Sequence, residues 1–114
     1  MGVTMKLITK EIEDKLNRNT GDPSVDKPYL KLFTPFGNAT WLISEIHYRG
    51  GEKLLFGLCD LGLGFPELGY VSLAEIEEMN SGNVPRIERD KYWDPKGSLE
   101  IYTKSAQSAR GIYV

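Results

Sequence analysis

Two reactive residue types are nearly missing from this chain of 114 residues, which carries one cysteine, Cys59, and one histidine, His47. A lone cysteine excludes an internal disulfide and a cysteine-based zinc site. No run of about 18 apolar residues is present, so a membrane-spanning helix is not expected. The start, Met1-Gly2-Val3-Thr4-Met5-Lys6, lacks the apolar core of a signal peptide. The expectation is therefore a single soluble, cytoplasmic, disulfide-free domain over residues 1–114. Basic residues are also missing locally: residues 54–85 contain no Lys or Arg but hold Asp60, Glu67, Glu75, Glu77 and Glu78. A phosphate backbone is tracked by cations, so this stretch is a poor nucleic-acid surface.

What is present is ordinary globular material, with 40% apolar, 11% aromatic and 26% charged residues and a formal charge of -2. The near-neutral total hides an uneven spread. Residues 1–53 hold eight basic and seven acidic side chains, and residues 86–114 hold six and four. The acidic middle reads either as a half-buried segment with solvated charges or as an acidic docking face.

The pattern predicts an α+β fold: an antiparallel meander of about four to five strands with helices packed on it. Thr9 is placed to cap a first helix over residues 10–19, with Leu7, Ile8, Ile12 and Leu16 on one stripe and Glu11 paired to Lys15. A breaker-rich connector follows through Asn17, Asn19, Gly21, Asp22, Pro23, Ser24 and Pro28. Strands are expected over residues 29–34, 39–48 and 53–59. The turns Thr34-Pro35-Phe36-Gly37 and Arg49-Gly50-Gly51-Glu52 join them. Alternation along the second strand places Trp41, Ile43, Glu45 and His47 on one face and Leu42, Ser44, Ile46 and Tyr48 on the other. Residues 60–70 then read as a glycine-rich loop whose apolar side chains pack, with a short fourth strand over 69–71. Ser72 and Glu75 form a capping box for a helix near 73–79, stopped by Asn80-Ser81-Gly82. Residues 86–91 read as extended. Ser98 caps a C-terminal helix to about residue 106, packed through Leu99, Ile101 and Tyr102, and the last residues fray.

No complete catalytic motif is found, so a binding module is favoured over an enzyme and no cofactor is expected. Gly62-Leu63-Gly64 invites a dinucleotide-binding reading, but Glu67 stands where the third glycine would be and Pro66 blocks the following helix. A metal site or acid–base centre would have to be built from His47 with Glu45, joined by Asp60 or Glu67. It requires those groups within about 10 Å of one another. Cys59 could face His47 across neighbouring strands, but an inert buried thiol is the commoner state at the end of an apolar strand. The best aromatic-and-cation stretch, Arg86 to Lys96, is interrupted by Glu88, Asp90 and Asp94. Within it Trp93 is expected to be exposed as a contact residue, while Trp41, Phe33 and Phe56 are expected in the core.

Several runs together carry a resemblance. They are Leu7-Ile8-Thr9, Leu32-Phe33-Thr34-Pro35, Ala39-Thr40-Trp41-Leu42-Ile43-Ser44-Glu45, residues 54–73 and Glu88-Arg89-Asp90. The most specific is Phe56-Gly57-Leu58-Cys59-Asp60-Leu61-Gly62 leading into Phe65-Pro66-Glu67-Leu68-Gly69-Tyr70. With these, residues 7–95 resemble the bacterial domain-of-unknown-function family 2958, encoded often on plasmids, phages and conjugative elements. Phe36 stands where that family often has tryptophan, and the tail after Gly97 matches poorly, as an extension over 97–114. The resemblance implies a setting, accessory cargo of a mobile element, and no catalytic residues. The expected contact surface for a protein partner is therefore Asp60, Phe65, Glu67 and Tyr70 in the loop, with Glu88, Arg89, Asp90 and Trp93. Nucleic acid is the less favoured partner, and no membrane contact is expected.

Overall fold

The structure is a computed structural model, and it describes residues 6–80, 82 and 86–114. Residues 1–5 of the chain start and Ser81 of the expected helix stop lie outside the described residues. In chain order the elements are α1 (Lys10–Arg18), β1 (Leu30–Phe33), β2 (Thr40–Arg49), β3 (Glu52–Asp60), β4 (Glu67–Ser72), α2 (Leu73–Met79), β5 (Glu88–Arg89) and α3 (Leu99–Ala109). The strands form one five-stranded antiparallel sheet in the order β4-β3-β2-β1-β5. The expected α+β meander is thus present, with a two-residue strand returning to the far side of β1.

Local chemistry fixes most boundaries. The Thr9 hydroxyl accepts from the Ile12 amide at 3.1 Å and starts α1. Ser72 and Ser98 cap α2 and α3 in the same way, accepting from Glu75 at 3.3 Å and Ile101 at 3.4 Å. Between β2 and β3 the chain reverses at Gly50 and Gly51, both at positive φ, as a two-residue hairpin turn requires. Glu11 and Lys15 pair at 3.6 Å as expected.

Two cores lie on opposite faces of the sheet. Leu7, Ile8, Leu16, Leu30, Leu32, Trp41, Ile43, Ile46, Leu55, Leu73, Ile76 and Ile87 fill the first, under α1 and α2. Leu42, Leu58, Leu99 and Ala106 make a smaller second core under α3, joined by half-buried Phe56, Trp93, Tyr102 and Ile112.

The expected alternation along β2 fails at Ser44. Ile43 pairs with Gly57 but Glu45 pairs with Phe56, so Ser44 is an extra, bulged residue with no partner across the strand. Beyond the bulge every side chain changes face. Ile46 enters the first core with Trp41 and Ile43, while Glu45 and His47 turn to the α3 side beside Phe56. Gly57 makes the bulge sterically feasible: a Cβ there would sit 2.0 Å from the Leu42 carbonyl oxygen. On the α1 side the Asn19 side-chain amide donates to the Ser44 carbonyl at 2.8 Å and to the Lys27 carbonyl at 2.9 Å.

Other differences are smaller and have similar causes. β4 runs from Glu67, two residues earlier than expected, because everything after Pro66 pairs with β3. α3 buries Leu99, Thr103 and Ala106, an i, i+4, i+7 stripe, and leaves Ile101 61% exposed. Tyr102 packs as expected, half-buried. The tail is held rather than frayed: the Ile112 amide donates to Asp60 at 2.8 Å and its side chain joins the second core. The connector after α1 is a built loop. Buried Asp26 accepts from the Thr20 amide and hydroxyl, both at 2.9 Å, and from the Gly21 amide at 2.7 Å. Its own carbonyl, and that of Pro23, take the amides of Leu99 and Glu100 at 2.8 and 2.9 Å, which completes the α3 N-terminus.

Two expectations follow. Gly57→Ala should cost about 3 kcal/mol in urea unfolding, because the new methyl meets backbone that cannot yield. Gly69→Ala, where a Cβ has nothing within 4 Å, should stay within about 1 kcal/mol of wild type. At the α1 contact with the β2–β3 hairpin, the Tyr48 hydroxyl donates to Glu13 at 2.5 Å and accepts from Asn17 at 2.9 Å. The Tyr48 hydrogen bond, with Lys53 beside it, holds the Glu13 carboxyl below its ordinary value of 4.5. A depressed carboxylate contributes stability above its unfolded value and loses it as pH falls. Tyr48→Phe should therefore destabilise the protein at neutral pH by under about 1 kcal/mol. That difference should shrink as acid melts are carried down from pH 4.5 through the lowered Glu13 value.

Candidate functional site

The residues expected to act together separate into three places. The first is the loop between β3 and β4. Asp60 is only 5% exposed, and both its oxygens are used inside the molecule: Oδ1 accepts from Gly62 and Oδ2 from Ile112, each at 2.8 Å. Asp60 is thus an internal clamp that ties the loop to the C-terminal tail. Gly62 sits at φ 81° with its α-carbon hard against Asn38, where a Cβ would come within 2.7 Å of the Asn38 Cβ. These backbone anchors and buried Pro66 fix the loop without using its apolar side chains. Leu61, Leu63 and Phe65 are 60%, 73% and 76% exposed, contrary to the expectation that they pack. Leu68 and Tyr70 on β4 extend the same apolar stretch, and Glu67 just before them is exposed. The spacing Leu61-Gly62-Leu63-Gly64-Phe65 itself carries the signal for this exposure, since glycines without side chains to bury alternate with apolar residues directed outward.

Beside the loop lies a cleft of about 630 Å³, lined by Lys31, Thr34, Asn38, Thr40, Gly62 and Arg110 among others. Lys31 and Arg110 were not anticipated at a site, because they come from distant parts of the chain. The glycine-rich loop thus does line a polar cleft. His47 does not open into it.

The second place is the uncovered part of the α3-side face. His47 Nε2 and Glu45 Oε1 lie 2.8 Å apart. The imidazole packs tilted on Tyr70 at 5.8 Å between ring centroids, and Tyr70 on Phe56 at 4.9 Å. Glu45 orients the imidazole, but the further carboxylates are elsewhere. His47 pairs with Leu54, six residues from Asp60 along β3, a distance of roughly 20 Å at 3.4 Å per residue. Glu67 is placed across from Cys59, on the other face of the sheet. Among the described residues no three His, Cys, Asp or Glu side chains converge as metal ligands. Cys59 also belongs to the first-core face, so it cannot meet His47, and burial pushes its thiol up to about 11. Among the described residues the arrangement holds an oriented imidazole with no serine or cysteine hydrogen-bonded to it.

The third place is residues 88–93, at the opposite edge of the sheet. Glu88 and Arg89 form β5, Asp90 pairs with Lys31 at 3.3 Å, and the Arg89 guanidinium donates to the Lys6 carbonyl. Trp93 is half-buried rather than exposed: its Nε1 donates to the Pro28 carbonyl at 2.7 Å and its ring packs on Tyr102 at 5.5 Å. The exposed aromatic of the segment is Tyr92, at 94%. Four strand spacings, about 19 Å, separate β5 from β4. The two halves of the expected contact surface are therefore not contiguous.

A sequence model of the family described as "Protein of unknown function (DUF2958)" matches residues 6–113. The match runs past the 7–95 region to include α3 and the tail, whose contribution is a packing stripe rather than a distinctive motif. No curated protein and no solved structure matches the chain.

Because Cys59 is half-buried with its thiol held protonated, its reaction with a disulfide reagent at pH 8 should run about a hundredfold slower in the folded protein than in urea. Absorbance of the released thiolate measures both rates.

Proposed function

Since the chain belongs to the DUF2958 family, whose description assigns no activity, we propose that it is a small non-catalytic binding module that meets a protein partner through residues 61–70. The observation that carries this reading is the exposure of Leu61, Leu63, Phe65, Leu68 and Tyr70 within ten residues of chain. Large apolar side chains concentrated at the surface mark interaction sites more often than isolated ones do. The anchored backbone supports the same reading, because a loop already fixed by Asp60 and Gly62 loses little conformational entropy on contact. Residues 88–93 have their own internal partners and are best assigned to holding the β1 edge together. The setting proposed for the module is the bacterial cytoplasm, as accessory cargo of a mobile element, which rests on the family resemblance.

A protein partner is favoured over nucleic acid because no Lys or Arg occurs between Leu54 and Pro85. A photo-crosslinking residue at position 65 should capture a discrete partner from the native host, and Leu63→Ser should abolish that capture without changing the melting temperature. The same probe at position 92, exposed on the opposite edge, should give background only. Equal capture at both positions, or a nucleic-acid mobility shift that needs residues 61–70, would remove this reading.

A further inference from the structure

The outer edge of β4 has the properties of a strand acceptor. β4 hydrogen-bonds to β3 alone, and among the described residues no backbone or side-chain group bonds to its outer side. Edge strands are usually protected by lysine, proline, a bulge or a covering element. β4, with the sequence Glu67-Leu68-Gly69-Tyr70-Val71-Ser72, has no lysine or proline within it and pairs with β3 in unbroken register over its whole length. Its two faces offer different chemistry. Leu68 and Tyr70, opposite Leu58 and Phe56, stand on the α3 side and are 40% and 59% exposed. Glu67 stands on the other side, where α2 follows directly with exposed Glu75, Glu77 and Glu78.

From this pairing of an unpartnered edge with an acidic flank we propose that β4 accepts an extended, basic segment of a partner protein as a sixth strand. The proposal rests on the binding-module reading and names the chemistry of the partner. Main-chain hydrogen bonds hold the added strand, and its alternate side chains meet different surfaces. Those directed to the α3 side are apolar and pack on Leu68 and Tyr70. Those directed to the α2 side are Lys or Arg and face Glu67 and the α2 carboxylates. A second copy of this chain is the wrong occupant, because pairing β4 with β4 would bring Glu67 and the exposed α2 carboxylates of two copies together.

The test uses the full chain and a synthetic peptide of about eight residues alternating lysine and valine, long enough to span β4 at roughly 3.4 Å per residue. Isotope-edited NMR should show saturable shifts in residues 67–72. Methylation of alternate peptide amides, on the edge that pairs, should abolish binding, while methylation of the other set should leave it. The variant Glu67→Lys with Glu78→Lys, at two exposed positions, should weaken binding about tenfold with an unchanged melting temperature. Absence of saturable binding, binding indifferent to both methylation patterns, or shifts in residues 67–72 produced by self-association would each overturn the proposal. If position 65 still captures a partner while the peptide fails to bind, the edge proposal falls and the binding-module reading survives.

Discussion

The arrangement of this molecule depends on one close approach, the backbone of β2 lying against Gly57 of β3 where Ser44 bulges. A side chain at residue 57 would place its first carbon 2.0 Å from the Leu42 carbonyl oxygen, so the close approach at the bulge requires glycine there. The bulge inverts the second half of β2. Without it Ile46 would leave the larger core and Glu45 would enter it as a buried carboxylate, which is costly without a partner. With it, the polar residues reach the open face and Tyr48 reaches Glu13 on α1. The Phe56-Gly57-Leu58 run, among the most recognisable parts of the sequence, is thereby given a physical reason.

The breaker-rich stretches are closed by buried polar side chains that act as local clamps. Asp26 gathers the connector after α1, Asp60 joins the β3–β4 loop to the tail, and Asn80 bonds the Ile87 carbonyl at 2.7 Å and the Arg86 and Ile87 amides at 2.8 and 2.9 Å. Each satisfies several backbone groups that regular structure would leave unpaired. The clamps also link distant elements: the connector supplies acceptors for the first amides of α3, and the Asp60 carboxylate holds the residue that seals the second core. The loops are therefore part of the frame on which the surface is displayed.

Much of this was legible from local chemistry. Thr9, Ser72 and Ser98 mark helix starts, Gly50-Gly51 marks a hairpin, and the strand runs give an antiparallel sheet, because each signal acts over a few residues. The differences at Ser44 and Trp93 involve partners far along the chain, whereas those at Ile101 and in the Leu61–Phe65 loop concern which side of a local element faces inward. Nothing near Ser44 announces a bulge, since the cause sits at Gly57 on another strand. Trp93 reads as exposed from its charged neighbours, yet its indole is bonded to Pro28, and Ile101 loses its place in the core because the buried stripe of α3 runs through Leu99 and Thr103. The candidate site divides for the same reason. Residues 60–70 and 88–93 are both rich in polar and aromatic groups, but sheet order places them on opposite edges, and order is set by pairings that composition does not encode.

The coincidence of exposed apolar residues with a cation-free segment has its own logic. Burial on contact would gain about 1.5 kcal/mol or more for each large side chain among Leu61, Leu63 and Phe65, so this edge is adhesive and would be a hazard with β4 left open beside it. Protection by lysine would repel a basic partner and leave an acidic one free to bind. Protection by Glu67, Glu75, Glu77 and Glu78 repels a second copy of the same edge while attracting a strand of opposite charge. Under the strand-acceptor proposal, acidic residues concentrated here would both discourage pairing of two such edges and favour a strand of opposite charge through one and the same field. The overall charge of -2 conceals this distribution, because residues 54–85 hold five carboxylates and no Lys or Arg while all fourteen basic residues lie outside them in sequence.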